Sequence, residues 1–335
     1  MPVKAPRFSI IVPVYNRIGE VADLLASLDR QTDKDFEVIL VEDGSTEKCD
    51  REAEKYKDRI CLRYYWKENE GRSIARNYGM ERAGGDYFVF VDSDCILPED
   101  YIFSLRKSLD NDPTDCFGGP DAAHESFTDL QKAINYSMTS FLTTGGIRGG
   151  KIQMEKFVPR TFNMGFSRDV YVKVGGFREM FSEDIDMSTR IRLAGFRISL
   201  FRDVKVFHKR RVDLRKFWRQ VHVFGMSRIT LQLLYPGSMK IVHTLPAVFT
   251  VGSLLLIIGA LFCPWLLIPL AAYLLAVWIC GIVALKSVKL GTMGVAAGIV
   301  QLVGYGTGFI RAYVWKILLR HGRDEAQEVE MRRGK

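Results

Sequence analysis

The sequence predicts an α/β fold, a mostly parallel sheet with flanking helices, followed by a C-terminal transmembrane helical region. Three observations predict it. Short β-rich apolar runs alternate with stretches of helical period through the first part of the chain. Several of these runs halt abruptly at a polar residue, Asn16, Asp43 or Asp92. Charged residues then thin out between about Ile241 and Ala284, although the mean hydropathy of the whole chain is near zero. At 335 residues the chain exceeds the usual size of one domain, so a compact core plus a second region is expected.

The elements follow in order. Phe8 to Val14 is an apolar run ended by Pro13 and Asn16, the pattern of a buried strand. Val21, Leu24, Leu25 and Leu28 recur at helical spacing, and Phe36 to Val41 is again β-rich and stops at Asp43-Gly44. Arg59 to Trp66 reads as a strand, Ser73 to Ala83 as a helix and Tyr87 to Val91 as a strand. Strands alternating with helices imply parallel pairing, and ligands of such sheets collect beyond the carboxyl ends of the strands. Asn16, Glu42-Asp43 and Asp92-Ser93-Asp94 all fall there. Further on, the Gly-rich stretch from Thr143 to Gly150 reads as a mobile loop over the site. Ser182 is placed to cap a helix running to Gly195, and Arg197 to His208 reads as extended chain.

The C-terminal region divides into spans of about 241–262, 265–285 and 293–313. The first two contain no Asp, Glu, Lys or Arg; the first, as a helix of roughly 33 Å, crosses a hydrocarbon core of about 30 Å. Pro264 joins them in a tight hairpin, with Lys286 and Lys289 on the inner side, so the preceding domain is expected in the cytoplasm, at the inner membrane. The third span is Gly-rich, and Gly298, Gly304 and Gly308 suit close packing in lipid. Crossing a third time would place Arg311, Lys316, Arg320 and Arg323 outside; a re-entrant segment would return them to the cytoplasm, and a reporter after Lys335 separates the two. Just before the spans, Leu214, Phe217, Trp218, Val221 and Phe224 share a helical face that suits the headgroup layer or, alternatively, the core of a domain. The expected division is therefore 1–212, 213–238, 239–320 and a polar tail 321–335.

The formal charge of +8 is not accompanied by a nucleic-acid-binding motif, so nucleic acid is excluded as a partner and phosphate or anionic lipid favoured. The six cysteines form no CxxC pair or regular framework, which fits reduced thiols and argues against disulfides or structural zinc. The N-terminus offers no secretory signal.

Asp92-Ser93-Asp94 is a pair of carboxylates two residues apart, which on extended chain project to one side where one metal ion can draw on both. The spacing alone is weak, since about one such pair arises by chance in this length. Asp33/Asp35, Asp110/Asp112 and Asp184/Asp186 share it. Only Asp92/Asp94 follows a strong apolar strand.

Taken with FSIIVPVYNR, VILVEDGST, the block from Glu70 to Tyr101, FNMGFSRDVYVKVGGFRE and SEDIDMSTRIRLAGFRI, this motif makes the chain resemble family 2 glycosyltransferases of the GT-A (Rossmann-like) fold, from Phe8 to about Arg228. The resemblance implies inverting transfer from a nucleotide diphosphate sugar, with Mn²⁺ or Mg²⁺ bridging the phosphates. It places Pro13 and Tyr15 in the nucleotide pocket and Asp43 on the base. Glu42 departs from the commoner Asp. Arg76 is expected on the nucleotide or its diphosphate, Asp92 and Ser93 on the donor, and Asp94, with Asp92, on the metal. Glu183-Asp184 matches the ED motif, whose Asp is the base that deprotonates the acceptor hydroxyl, with Glu183 near acceptor or phosphate. Otherwise these acids simply complement the helix dipole. Some relatives place a metal-ligating His where His208 stands, and Arg210 and Arg211 after it suit phosphate; a structural histidine is the alternative.

The QxxRW motif of processive relatives is absent around Gln220-Val221-His222-Val223-Phe224, which favours a single transfer. The expected acceptor is a lipid-linked saccharide in surface polysaccharide or glycolipid assembly, or, as the alternative, bare polyprenyl phosphate. A membrane scaffold with a degenerate nucleotide-binding domain is the non-enzyme reading, and it predicts tolerance of Asp94→Ala.

Overall fold

The computed structural model describes residues 6–122, 127–144, 157–208 and 213–319. The chain forms two compact units, 1–124 with 157–209, and 125–156 with 210–335.

The first unit is built on strands β1 (Phe8–Val14), β2 (Phe36–Asp43), β3 (Leu62–Lys67), β4 (Tyr87–Phe90), β5 (Cys95–Ile96), β6 (Cys116–Gly118), β7 (Asp121–Ala122), β8 (Met164–Ser167), β9 (Ile198–Leu200) and β10 (Val206–His208). Its helices are α1 (Ile18–Asp29), α2 (Asp50–Glu54), α3 (Arg72–Arg82), α4 (Tyr101–Asn111), α7 (Arg168–Val174) and α8 (Glu183–Leu193), with α5 (Asp129–Thr139) and α6 (Phe141–Thr144) assigned to the second unit. Seven strands form one sheet in the order β3-β2-β1-β4-β8-β6-β9. The first four are parallel, as the alternating pattern requires, and β8 enters antiparallel to both β4 and β6.

Alternate residues of the central strands build two apolar layers. Ile10, Val12, Val38, Leu40 and Val89 pack with α1 and α4 on one face. Ile11, Ile39, Val41, Phe88 and Phe90 pack with α3 and α8 on the other. Burial on both faces explains why these strands read as continuous apolar runs. A second, three-stranded sheet, β5-β10-β7, carries His208 to the DxD segment: β10 runs antiparallel to β5, with His208 opposite Cys95.

The second unit carries α9 (Leu214–Leu234), α10 (Ile241–Gly259), α11 (Ile268–Leu285) and α12 (Val288–Ala312); a 3₁₀ turn at Pro264–Leu267 lies between α10 and α11, and α12 continues as a π-helix over Tyr313–Leu318. Among the described residues, three helices are long and apolar enough to cross a membrane: Ile241–Gly259, Pro264–Leu285 and Val288–Leu318. The last is longer than the expected 293–313. The first carries one histidine, His243, buried and accepting hydrogen bonds from the Arg228 guanidinium (2.9 Å) and the Lys240 amide (3.0 Å).

Two features of the second unit bear on the expected division. The segment α5, inside the expected 1–212 block, packs instead with the C-terminal helices: Tyr136 donates to the Val277 carbonyl (2.9 Å) and lies against Gly294. Of the two readings of the apolar face of α9, packing in a core is the one seen for Phe217 and Val221, buried among Ile134, Met138 and Ala297. Glycine makes this approach close enough, because a Cβ at Gly308 would stand 2.0 Å from the His222 carbonyl oxygen and one at Gly225 2.1 Å from that of Tyr305. Of the expected loop over the site, Thr143 and Thr144 lie in α6 and the rest lies outside the described residues, as do Arg210, Arg211 and the tail from 321.

Candidate functional site

The end of β2 turns sharply at Gly44, whose φ of +71° suits glycine, and where a Cβ would meet the Asn69 amide nitrogen at 2.5 Å. This closeness lets the loop after β3 close over Asp43. Its Oδ1 accepts from Lys67 Nζ (2.9 Å) and the Glu70 amide (3.0 Å), and Oδ2 from the Gly71 amide (2.8 Å). Asp43 is thus a built anion position with one acceptor site left on Oδ2. Lys67 answers it: burial lowers its pKa, but hydrogen bonds to Glu70 and Asp43 outweigh this and hold it above the ordinary lysine value.

Glu42 points to the opposite face. It is fully buried, and its Oε2 accepts from the Cys49 amide (3.0 Å) and the Tyr64 hydroxyl, so the residue that departs from the family pattern anchors the start of α2. Burial first, then the hydrogen bond and charge of Glu42, pushes the Tyr64 and Cys49 pKa values up. Near the end of β1, Pro13 is half-buried and Tyr15 exposed, and Asn16 accepts from the Thr46 amide (2.9 Å), fastening the β1 and β2 ends together.

The DxD segment is not extended. The Cys95 amide donates to the Asp92 carbonyl (3.1 Å), closing a turn from which the chain enters β5. Alternation along an extended strand therefore does not aim the two carboxylates, and they do different things. Asp92 Oδ1 accepts from Arg76 Nη2 at 2.8 Å. Asp94 Oδ1 lies 3.2 Å from His208 Nε2. Ser93 between them is buried.

Arg76 is expected to face the nucleotide; instead it is 1% exposed. Its Nη1 donates to Glu183 Oε1 (3.0 Å), and Arg72, one helical turn earlier on α3, donates to Glu183 Oε2 (2.8 Å). The guanidinium lies over the Phe177 ring at 5.7 Å. Burial works to lower the Arg76 pKa, but Asp92 and Glu183 outweigh it and hold the group above its ordinary value. Both terminal nitrogens of Arg76 thus meet carboxylates, and Glu183 is itself buried between Arg72 and Arg76. The same ion pairs bring the DxD turn and the start of α8 together.

Next to Glu183, Asp184 is partly exposed; its Oδ1 accepts from the Ile185 amide (2.8 Å) and its Oδ2 from Arg160 (3.2 Å). Ser182 holds the N-cap position, but in left-handed backbone (φ +64°) and with no side-chain cap bond, so the expected cap does not form. Asp186, the other acid of that DxD spacing, is fully buried between Arg178 (3.0 Å) and Arg190 (2.9 Å), a structural role.

Among the described residues, Asp94, Cys95 and His208 bring ligand atoms within 4.8 Å of one another; Asp92 is not in this group. A carboxylate and an imidazole suit Mn²⁺ and admit Mg²⁺, and donors at right angles on bonds of about 2.1 Å stand about 3 Å apart, close to the pair seen here. Cys95 is the third member of this group. Burial first, then the charges of Asp94 and Asp92, pushes its pKa well up, and the thiol donates toward the Phe162 carbonyl (3.7 Å). The His208 ring is held by Phe162, stacked at 4.6 Å, while its buried Nδ1 has no hydrogen-bond partner among the described residues.

Sequence reasoning missed Arg17, Lys67, Arg72, Phe162 and Arg160. Arg17, beside the DxD turn, has a raised pKa: burial opposes it, while the Glu20 hydrogen bond and the charges of Asp94 and Asp92 raise it. Arg72 had a legible signal, its four-residue spacing from Arg76. The others depend on contacts between distant segments.

Comparison with known proteins bears on the family and the fold. Residues 9–175 match the model of Glycosyl transferase family 2. An uncharacterized glycosyltransferase of Rickettsia felis is 40% identical over 104 residues, covering 31% of this chain and 17% of its own length. The uncharacterized glycosyltransferase EpsJ of Bacillus subtilis is 37% identical over 114 residues, covering 34% and 33%. The chain thus spans a third or less of the length of these relatives. Among solved structures, the mannosyltransferase PcManGT from Pyrobaculum calidifontis, in complex with GDP-Man and Mn²⁺, superposes with a TM-score of 0.58 at 19% identity, over 94% of this chain and 89% of its own. That is a likeness of fold.

Proposed function

Because this chain belongs to glycosyl transferase family 2, we propose that it moves a single sugar, with inversion, from a nucleotide diphosphate sugar to a lipid-linked saccharide at the cytoplasmic face of a membrane. The observation that carries the reading is Arg76, bonded at once to Asp92 and Glu183, which draws the donor motif and the base motif into one site. The nucleotide-sugar complex of the fold neighbour and the three apolar helices support it.

Asp94 and His208 are the residues that would hold Mn²⁺ or Mg²⁺, and the bound cation supplies charge neutralisation at the departing diphosphate. Asp43 and Tyr15 meet the nucleotide, with Lys67 keeping Asp43 in place. Asp184 takes the proton of the acceptor hydroxyl. The hydroxyl oxygen forms a bond to the anomeric carbon from the face opposite the bond that breaks, and the nucleotide diphosphate leaves with that electron pair.

The test is a donor screen on detergent-solubilised protein with Mn²⁺ or Mg²⁺, scored by release of nucleotide diphosphate with a membrane lipid extract as acceptor. Sugar-dependent release and an inverted product are expected. No release with any UDP, GDP or dTDP sugar, or a retained configuration, overturns the reading. Product mass assigns the acceptor as a lipid-linked glycan or bare lipid phosphate.

A further inference from the structure

We propose that Arg160 is a positioning residue for Asp184, mounted on an anchored turn that also carries the aromatic support of His208. The inference rests on the reading of Asp184 as the base. Arg160 and Asn163 form an isolated β-bridge, with the Asn163 amide donating to the Arg160 carbonyl at 2.8 Å. Asn163 is fully buried and immobilised on both sides: its Oδ1 accepts from the Tyr101 hydroxyl (2.8 Å) and its Nδ2 donates to the Val204 carbonyl (2.7 Å). The Asn163 carbonyl also accepts from the Gly119 amide (3.2 Å), at a glycine whose Cβ would stand 2.4 Å from Asn163 Nδ2. The turn is therefore fixed by the core, independently of the side chains it presents.

Two of those side chains reach the two halves of the chemistry. Phe162 stacks on His208, and Arg160 donates to Asp184 Oδ2 at 3.2 Å. Because the Ile185 amide already holds Oδ1, the Arg160 bond is what sets the rotation of the carboxylate about its own axis. Asp184 sits in the first turn of α8, where its carboxylate accepts from these two donors. A base displaced by 1 Å loses much of its effect, which is why an orienting partner matters.

The test compares Arg160→Met, Arg160→Lys and Asp184→Asn, reading kcat, the donor KM and Mn²⁺ binding by electron paramagnetic resonance. Arg160 is partly exposed and its main chain carries the turn, so both variants are expected to fold; a thermal melt confirms it. Arg160→Met should lower kcat at least tenfold while donor KM and Mn²⁺ affinity stay within about twofold. Arg160→Lys, which keeps a donor and a charge, should recover part of the loss. Unchanged kcat in Arg160→Met, a tenfold rise in donor KM with kcat intact, or Arg160→Lys no better than Arg160→Met overturns the proposal. Near-normal turnover in Asp184→Asn instead ends the reading of Asp184 as the base, whatever Arg160 does.

Discussion

His208 Nε2 stands 3.2 Å from Asp94 Oδ1, brought there by the antiparallel pairing of β10 with β5. The pair is neither a helix contact nor a local turn, and it exists because a three-stranded sheet, separate from the main one, returns the chain to the DxD turn. Asp94→Asn and His208→Ala should each weaken Mn²⁺ binding roughly tenfold or more, since even partners outside the ligand set cost this much. Titration followed by electron paramagnetic resonance measures it. Unaltered affinity in both variants would move the metal elsewhere.

Asp184→Asn keeps the shape of the side chain and removes its basicity. Turnover should fall by about 10² or more, the range that general-base catalysis contributes, while nucleotide diphosphate binding stays within about twofold. Product release and calorimetric binding read the two separately.

Arg76 is the buried cation on which two carboxylates depend. Arg76→Met leaves Glu183 buried with Arg72 as its remaining guanidinium and should cost about 3 kcal/mol. Adding Glu183→Gln should restore part of it, because the uncompensated charge goes too. Thermal unfolding of the single and double variants decides the point: a double variant less stable than Arg76→Met contradicts the account.

In the second unit, Gly308→Val should disrupt the contact between α9 and α12, since the added Cβ meets the His222 carbonyl oxygen. Overpacking of this kind costs about 1–3 kcal/mol or more. Gly252, where nothing lies within 4 Å, is the control: Gly252→Ala should leave the melting temperature no lower. Equal loss in both variants would show that the close approach is unimportant.

Much of the fold was legible because hydrophobic periodicity is local. The runs Phe8 to Val14 and Phe36 to Val41 and the helix before Asp43 are encoded in neighbouring residues, and so is the arrival of Asn16, Asp43 and Asp92 at strand ends. The order of blocks that marks the family, and two uncharged stretches of membrane length followed by a weaker Gly-rich third, were also legible.

Pairing was not legible. Arg76 reads from the sequence as a ligand for phosphate, yet the structure spends it on Asp92 and Glu183; Asp92 and Asp94 read as twins, yet a turn sends one to Arg76 and the other to His208. The segment Asp129–Thr139 reads as part of the first domain and packs with the C-terminal helices. What the amino-acid sequence by itself determined was which residues are buried in which element and which polar groups end the strands. What only the tertiary structure decided was the partner of each charge, because a charge pairs with whatever the strand order and the crossovers set beside it, and that neighbour is a property of the whole sheet.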